Sequence, residues 1–304
     1  MIRRATWLGG VGLGMLLLVG CRTTPPLEGL AIDTPLAIDD PRAERVLERH
    51  LARAAARPAL RGLARVAIEG PDFKLNRPQR IAVSRPARLR FEVLGLFDQL
   101  AGLLVTNERE YGFFDASTGE VMRGRLRSSL LWELARIDLE PREVVGILLG
   151  APTPSSGTAR AAVWLEADER LAVAFAWPDA PRGRDPECLF DARRARFDRS
   201  CFLGLAALDA GGEIFLFDAH DRLVELRALG AGGGMRFRVR FEDFEPLVED
   251  AQPGEPGDFA HRVRLHSPEI DSEAQFLWKR VRLDDELSDR FFELPVRDGS
   301  ERSG

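Results

Sequence analysis

Several stretches of this chain set an arginine at every second position with an apolar residue between. Arg88, Arg90 and Glu92 alternate with Leu89, Phe91 and Val93, and Arg236, Arg238 and Arg240 alternate with Phe237, Val239 and Phe241. Arg262 and Arg264 alternate with Val263 and Leu265, while Arg65 and Glu69 oppose Val66 and Ile68. Strand side chains point alternately to the two faces, so this pattern requires a sheet with one wet face and one apolar face. Short turn segments at residues 107–110, 117–119, 167–169 and 218–221 separate further strand-like runs. Hairpins joined this closely make an antiparallel meander.

Two segments break the pattern. Residues 41–57 are alanine-rich and charged, with Val46, His50 or Leu51, and Ala54 along one side, which predicts a helix that Pro58 ends. In residues 128–150 the alternation stops, and Leu130, Leu131, Leu134 and Ile137 are followed by Val144, Val145, Ile147, Leu148 and Leu149. Pro141 suits a first helical turn and Gly150 a helix end, so a pair of apolar helices is expected within the sheet.

The first residues carry an address. Arg3 and Arg4 precede an apolar run at residues 11–19 that is too short to span a bilayer, then Leu18-Val19-Gly20-Cys21. That tetrapeptide resembles the lipobox of bacterial lipoproteins. It implies that residues 1–20 are a signal peptide that is removed and that Cys21 is lipidated as the new N-terminus. Residues 21–40, with Pro25, Pro26 and Pro35, read as a flexible tether, residues 41–297 as a single domain and residues 298–304 as a disordered tail. Arg22 follows the cysteine, and the lack of an aspartate there makes the outer membrane, facing the periplasm, the expected location. Cys188 and Cys201 then remain. In an oxidising compartment they form either a disulfide worth about 3 kcal/mol or two buried thiols on neighbouring strands.

Loss of Arg3 and Arg4 with the signal moves the formal charge from −5 to −7, which argues against nucleic acid as a partner. His261 and His266 are five apart and face opposite ways on a strand, a poor arrangement for one metal. Asp218, His220 and Asp221 are residues a tight turn uses for its own hydrogen bonds. The Gly232–Gly234 run lacks the strand-to-helix context and the lysine of a phosphate cradle, and no Gly-x-Ser-x-Gly elbow occurs. The reading is therefore a non-enzymatic monomer with no metal and no cofactor.

The order of elements, a tether, a helix, about four strands, apolar helices and more strands, resembles the fold of the LolA and LolB family of lipoprotein carriers and acceptors. In residues 81–93, Arg85 and Pro86 precede an alternating apolar run, as in a long strand of that family. Tyr111-Gly112-Phe113-Phe114-Asp115 resembles its aromatic strand, and Arg290-Phe291-Phe292-Glu293-Leu294-Pro295 its closing strand. The resemblance implies a mainly β fold with α. An incomplete antiparallel β-barrel would curl around an apolar cavity, with an N-terminal helix and an inserted helical lid at residues 128–150. It implies that Leu89, Phe91, Val93, Phe113, Leu130, Leu131, Leu134, Ile147 and Leu148 line the cavity or its lid, and that Arg85 holds the lid through backbone carbonyls. Residues 95–100, Gly-Leu-Phe-Asp-Gln-Leu, are either a protruding apolar loop or core residues at a bulge. The function implied is binding of acyl chains or lipoproteins at the membrane to which the lipid tethers the chain. Another reading is a structural or interaction lipoprotein whose core is filled.

Overall fold

The structure, a computed structural model, describes residues 29–71, 74–131, 138–177, 208, 211–247, 255 and 257–294. Cys21, Leu134, Cys188 and Cys201 lie outside the described residues, as do the signal and the tail.

Strand β1 (Ile32–Leu36) leads into helix α1 (Pro41–Ala55), then β2 (Ala59–Glu69), β3 (Lys74–Ser84), β4 (Arg88–Leu94), β5 (Leu100–Asn107), β6 (Glu110–Asp115) and β7 (Val121–Arg125). Helix α2 (Pro141–Leu148) follows, then β8 (Ala159–Glu166), β9 (Leu171–Ala176), β10 (Gly212–Phe217), β11 (Leu223–Leu229), β12 (Met235–Pro246), β13 (Asp258–Ser267) and β14 (Ser272–Asp284). All pair antiparallel in one sheet of order β1-β8-β9-β10-β11-β12-β13-β14-β2-β3-β4-β5-β6-β7. The meander read from the turns is thus present, and it is an open, curled sheet rather than a closed barrel.

The crossing that sequence order hides is the β14 to β2 pair, eleven residues from Glu273↔Glu69 to Asp284↔Ala59. It joins the two halves of the meander and brings their arginine faces together. Arg240 lies beside Arg264, and Arg282 beside Arg61, on the outer face. Carboxylates from turns and neighbouring strands answer several of them: Glu242 meets Arg264 at 2.8 Å and Asp284 meets Arg61 at 3.0 Å. Arg236 departs from the alternation. A register shift between Ala228 and Leu229 sets Met235 into a different cluster from Phe237, and Arg236 ion-pairs with Asp138 and Glu143 beside α2.

Residues 32–36 correct the tether. Ile32–Leu36 is a strand paired with β8, and the Ala31 amide donates to Glu166 Oε2 at 2.8 Å. Ile32, Leu36 and Leu30 find apolar neighbours on the sheet, so the chain is fixed well before Asp40. Asp40 caps α1 by accepting from the Arg42 amide at 2.9 Å, with Pro41 in the first turn. Ala43, Val46, Leu47, His50 and Ala54 form its buried face, while Leu51 is 47% exposed. Each buried Val or Leu there is worth roughly 1.5–3 kcal/mol.

Candidate functional site

Both helices lie on the concave face. Helix α1 lies over β10, where the His50 ring meets Phe215 and Phe217 edge-on at 5.9 and 5.3 Å. Helix α2 lies over β3 and β4. Between α2 and strands β2 to β6, β13 and β14 is a cavity of about 320 Å³. Val66, Ile68, Leu103, Leu104, Val263 and Leu265 come from the sheet, and Val144, Ile147 and Leu148 from the helix.

The predicted residues divide as follows. Phe91, Val93, Phe113, Leu131, Ile147 and Leu148 line the cavity. Leu89 is fully buried in the main core and Leu130 is 2% exposed, and neither lines it. The sheet pattern also held Val66, Ile68, Val263 and Leu265 on the apolar face, but only the β14 to β2 pairing sets them beside one void.

One end of α2 is held by buried cations. The helix stops at a left-handed Gly150 (φ +65°), whose amide donates to the Ile147 carbonyl at 2.9 Å while Ala151 donates to the Gly146 carbonyl at 3.1 Å. A Cβ on Gly150 would meet Arg57 Nη1 at 3.0 Å. Arg57, just past α1, donates Nη1 to the carbonyls of Leu149 (3.1 Å) and Gly150 (3.4 Å) and Nη2 to that of Asp258, and stacks on Phe259 at 5.4 Å. Arg85 donates Nη2 to the Ala151 carbonyl at 2.6 Å, and His50 Nε2 donates to the Pro152 carbonyl at 2.6 Å. Four successive carbonyls, the first at the C-terminal cap of α2 and the other three just beyond it, therefore face two guanidiniums and an imidazole.

Burial sets the charge state of this cluster. It pushes Arg57 down to about 9, still a cation at neutral pH, and lowers Arg85 in the same direction. Burial, with Arg53, Arg57 and Arg85 nearby, pushes His50 down to about 4, so it is neutral and carries its proton on Nε2. Arg57 and His50 escaped the sequence reading as partners of the lid. The only trace was Arg57-Pro58 ending a helix just before the first long strand, much as Arg85-Pro86 precedes another.

The opposite end of the strands holds the opening. Ala101 and Asp115, both at strand ends, line the cavity and are accessible, and the hairpin joining β4 to β5 projects beside them. Its tip is a 3-10 turn, Leu96–Asp98, in which Leu96 is 68% and Phe97 98% exposed. Phe97 (φ +60°) and Asp98 (φ +58°) are both left-handed, a conformation uncommon for residues other than glycine. Residues 95–100 are thus an exposed apolar projection and not core at a bulge.

No protein-family model matches the chain, and no curated protein does. Among solved structures, the chain is similar to a protein described as a LolA superfamily member from Nitrosomonas europaea, with 12% identity and a TM-score of 0.47, covering 83% of this chain and 97% of that one. A DUF1329 family protein from Desulfovibrio piger shares 11% at 0.48, over 82% and 96%. A domain ascribed to outer membrane lipoprotein sorting, from Vibrio parahaemolyticus, shares 11% at 0.46, over 82% and 97%. These likenesses concern the course of the chain and assign no role to any residue.

Proposed function

We propose that this chain is a lipoprotein anchored to the outer membrane through Cys21 and facing the periplasm. On this reading it binds an acyl chain of a lipid or lipoprotein in the cavity beneath α2 and acts in lipid or lipoprotein localisation. The observation that carries the reading is the cavity itself: about 320 Å³, walled by aliphatic and aromatic side chains and roofed by a short helix. That volume is at the small end of ligand pockets, fitting one chain rather than several. Transfer of an acyl chain into such a space is worth about 0.8 kcal/mol per methylene and needs no catalytic group.

The position of the opening adds support. An exposed Leu96-Phe97 tip beside the cavity mouth sets the entrance against any bilayer that the tip enters, so a chain could pass with little exposure to water. The buried contacts of Arg57, Arg85 and His50 hold one end of α2, and Arg236 holds the other through Asp138 and Glu143. These bonds hold the roof in place while a chain enters at the mouth.

The test is displacement of an apolar fluorescent probe by palmitic acid on the purified protein, with mass spectrometry of any lipid that copurifies. Probe uptake and its competitive loss are expected. A protein that excludes the probe and carries no lipid is a filled structural lipoprotein, and the proposal fails.

A further inference from the structure

Two residues that line the cavity are polar, Asp115 at the rim and Gln79 in the wall. Gln79 on β3 faces the same side as Leu75, is only 3% exposed and lines the cavity. Among the described residues its side-chain amide makes no hydrogen bond to the protein, and it is open to the cavity rather than sealed in the wall. Its neighbours across the sheet are Ala64 on β2 and Val93 on β4, and Gly102 lies beyond Val93, none of which offers a side-chain acceptor or donor. An amide that finds no partner in the protein and faces a cavity is left to bond whatever fills that space. Gln79 is also the wrong residue for a wall that only has to hold hydrocarbon, because leucine or methionine would fill the same volume with no polar group turned to the cavity.

Resting on the acyl-chain reading above, we propose that Gln79 recognises the carbonyl group of the ligand. Its Nε2 donates a hydrogen bond to the carbonyl oxygen of an acyl ester, amide or fatty acid drawn into the cavity. The ligand class is then narrower than an apolar tail: it is an acyl group whose first carbon enters with the chain, and a bare alkane is discriminated against. Gln79 shares its row with Val93, Gly102 and Asp115, and Asp115 sits at the accessible rim. The carbonyl would therefore lie near the level of the mouth, with the methylenes beyond it toward Phe91, Leu104 and Phe113, the next row inward.

The experiment compares methyl palmitate with heptadecane, presented in the same carrier, as competitors for the apolar probe. The parent protein is expected to bind methyl palmitate about tenfold more tightly, the scale of one buried hydrogen bond. In Gln79→Leu that preference is expected to shrink to about twofold or less with heptadecane affinity kept and the thermal midpoint at or above the parent's. Gln79→Met, closer in shape, should do the same. Equal binding of the two ligands by the parent, or a preference that survives in both variants, overturns the role of Gln79 and leaves the cavity reading standing. Failure of both ligands and of the probe to bind overturns both.

Discussion

The two wings of the sheet are built from similar strands and finish differently. In the wing of β8 to β11 the concave face is filled: Phe175, Phe215 and Phe217 pack on one another and on His50. Its other face is buried as well, through Trp164, Ile214, Leu216 and Met235, so every residue of β9 and β10 is covered. In the wing of β2 to β6 with β13 and β14, the concave face is hollow and the outer face carries exposed arginines. Helix length explains much of the contrast. Helix α1 has 15 residues and α2 has 8, about 22 and 12 Å, whereas β2 and β3, with 11 residues each, run about 36 Å. A helix of two turns spans only part of strands of that length, and among the described residues the space between it and the strands is the cavity.

The largest expected effect would break this contrast directly. Phe215→Ala in the filled wing should cost about 3–5 kcal/mol, but Phe91→Ala, whose ring already borders a void, only about 1–2 kcal/mol, measured by urea unfolding. Equal costs would mean that the second wing is not hollow.

Next comes acid. The folded pKa of His50, about 4, lies below the ordinary 6.5, so the unfolded chain binds more protons between these values. Its contribution to stability is whole above pH 6.5 and is lost as the pH falls toward 4, roughly 3 kcal/mol in total. Urea midpoints at two pH values, with His50→Gln as the reference, read this. A variant with the parent's pH slope in that window would remove His50 as the cause.

Arg57→Met is expected to cost about 2–3 kcal/mol, because it strips the donor from three buried carbonyls. It should also speed probe entry into the hollow wing. Unchanged entry would show that the probe passes through the mouth without loosening this end of α2. The smallest change in stability is expected from Ala274→Met, which extends a buried wall residue into the cavity: within about 1 kcal/mol of the parent, yet with probe binding lowered at least tenfold. If binding persists, the ligand lies elsewhere.

Much of the fold was legible because its signals are local. Alternation at Arg88 to Val93 and at Arg262 to Leu265 gave the faces of β4 and β13, and Pro41, Pro58, Pro141 and Gly150 marked helix ends that the structure shows. Strand β1 was missed since five residues containing a proline show too little periodicity, and its place is decided by the exposed edge of β8. The site was legible only as a list of apolar positions. Leu89 and Phe91 have the same parity on one strand, yet one is core and the other cavity wall.

What the amino-acid sequence alone determined is the sheet, the apolar face of each strand, the two interruptions and, through Leu18-Val19-Gly20-Cys21, the expectation of a lipid anchor. These depend on period and on neighbours within a few residues. Only the tertiary structure decided which wing is hollow, that Arg57, Arg85 and His50 converge on the end of α2, and that Gln79 faces the cavity with no partner in the protein among the described residues. A void is a difference between the lengths and placements of elements far apart in the chain, and a missing partner is a property of everything around a side chain. Neither has a local signature for a sequence to carry.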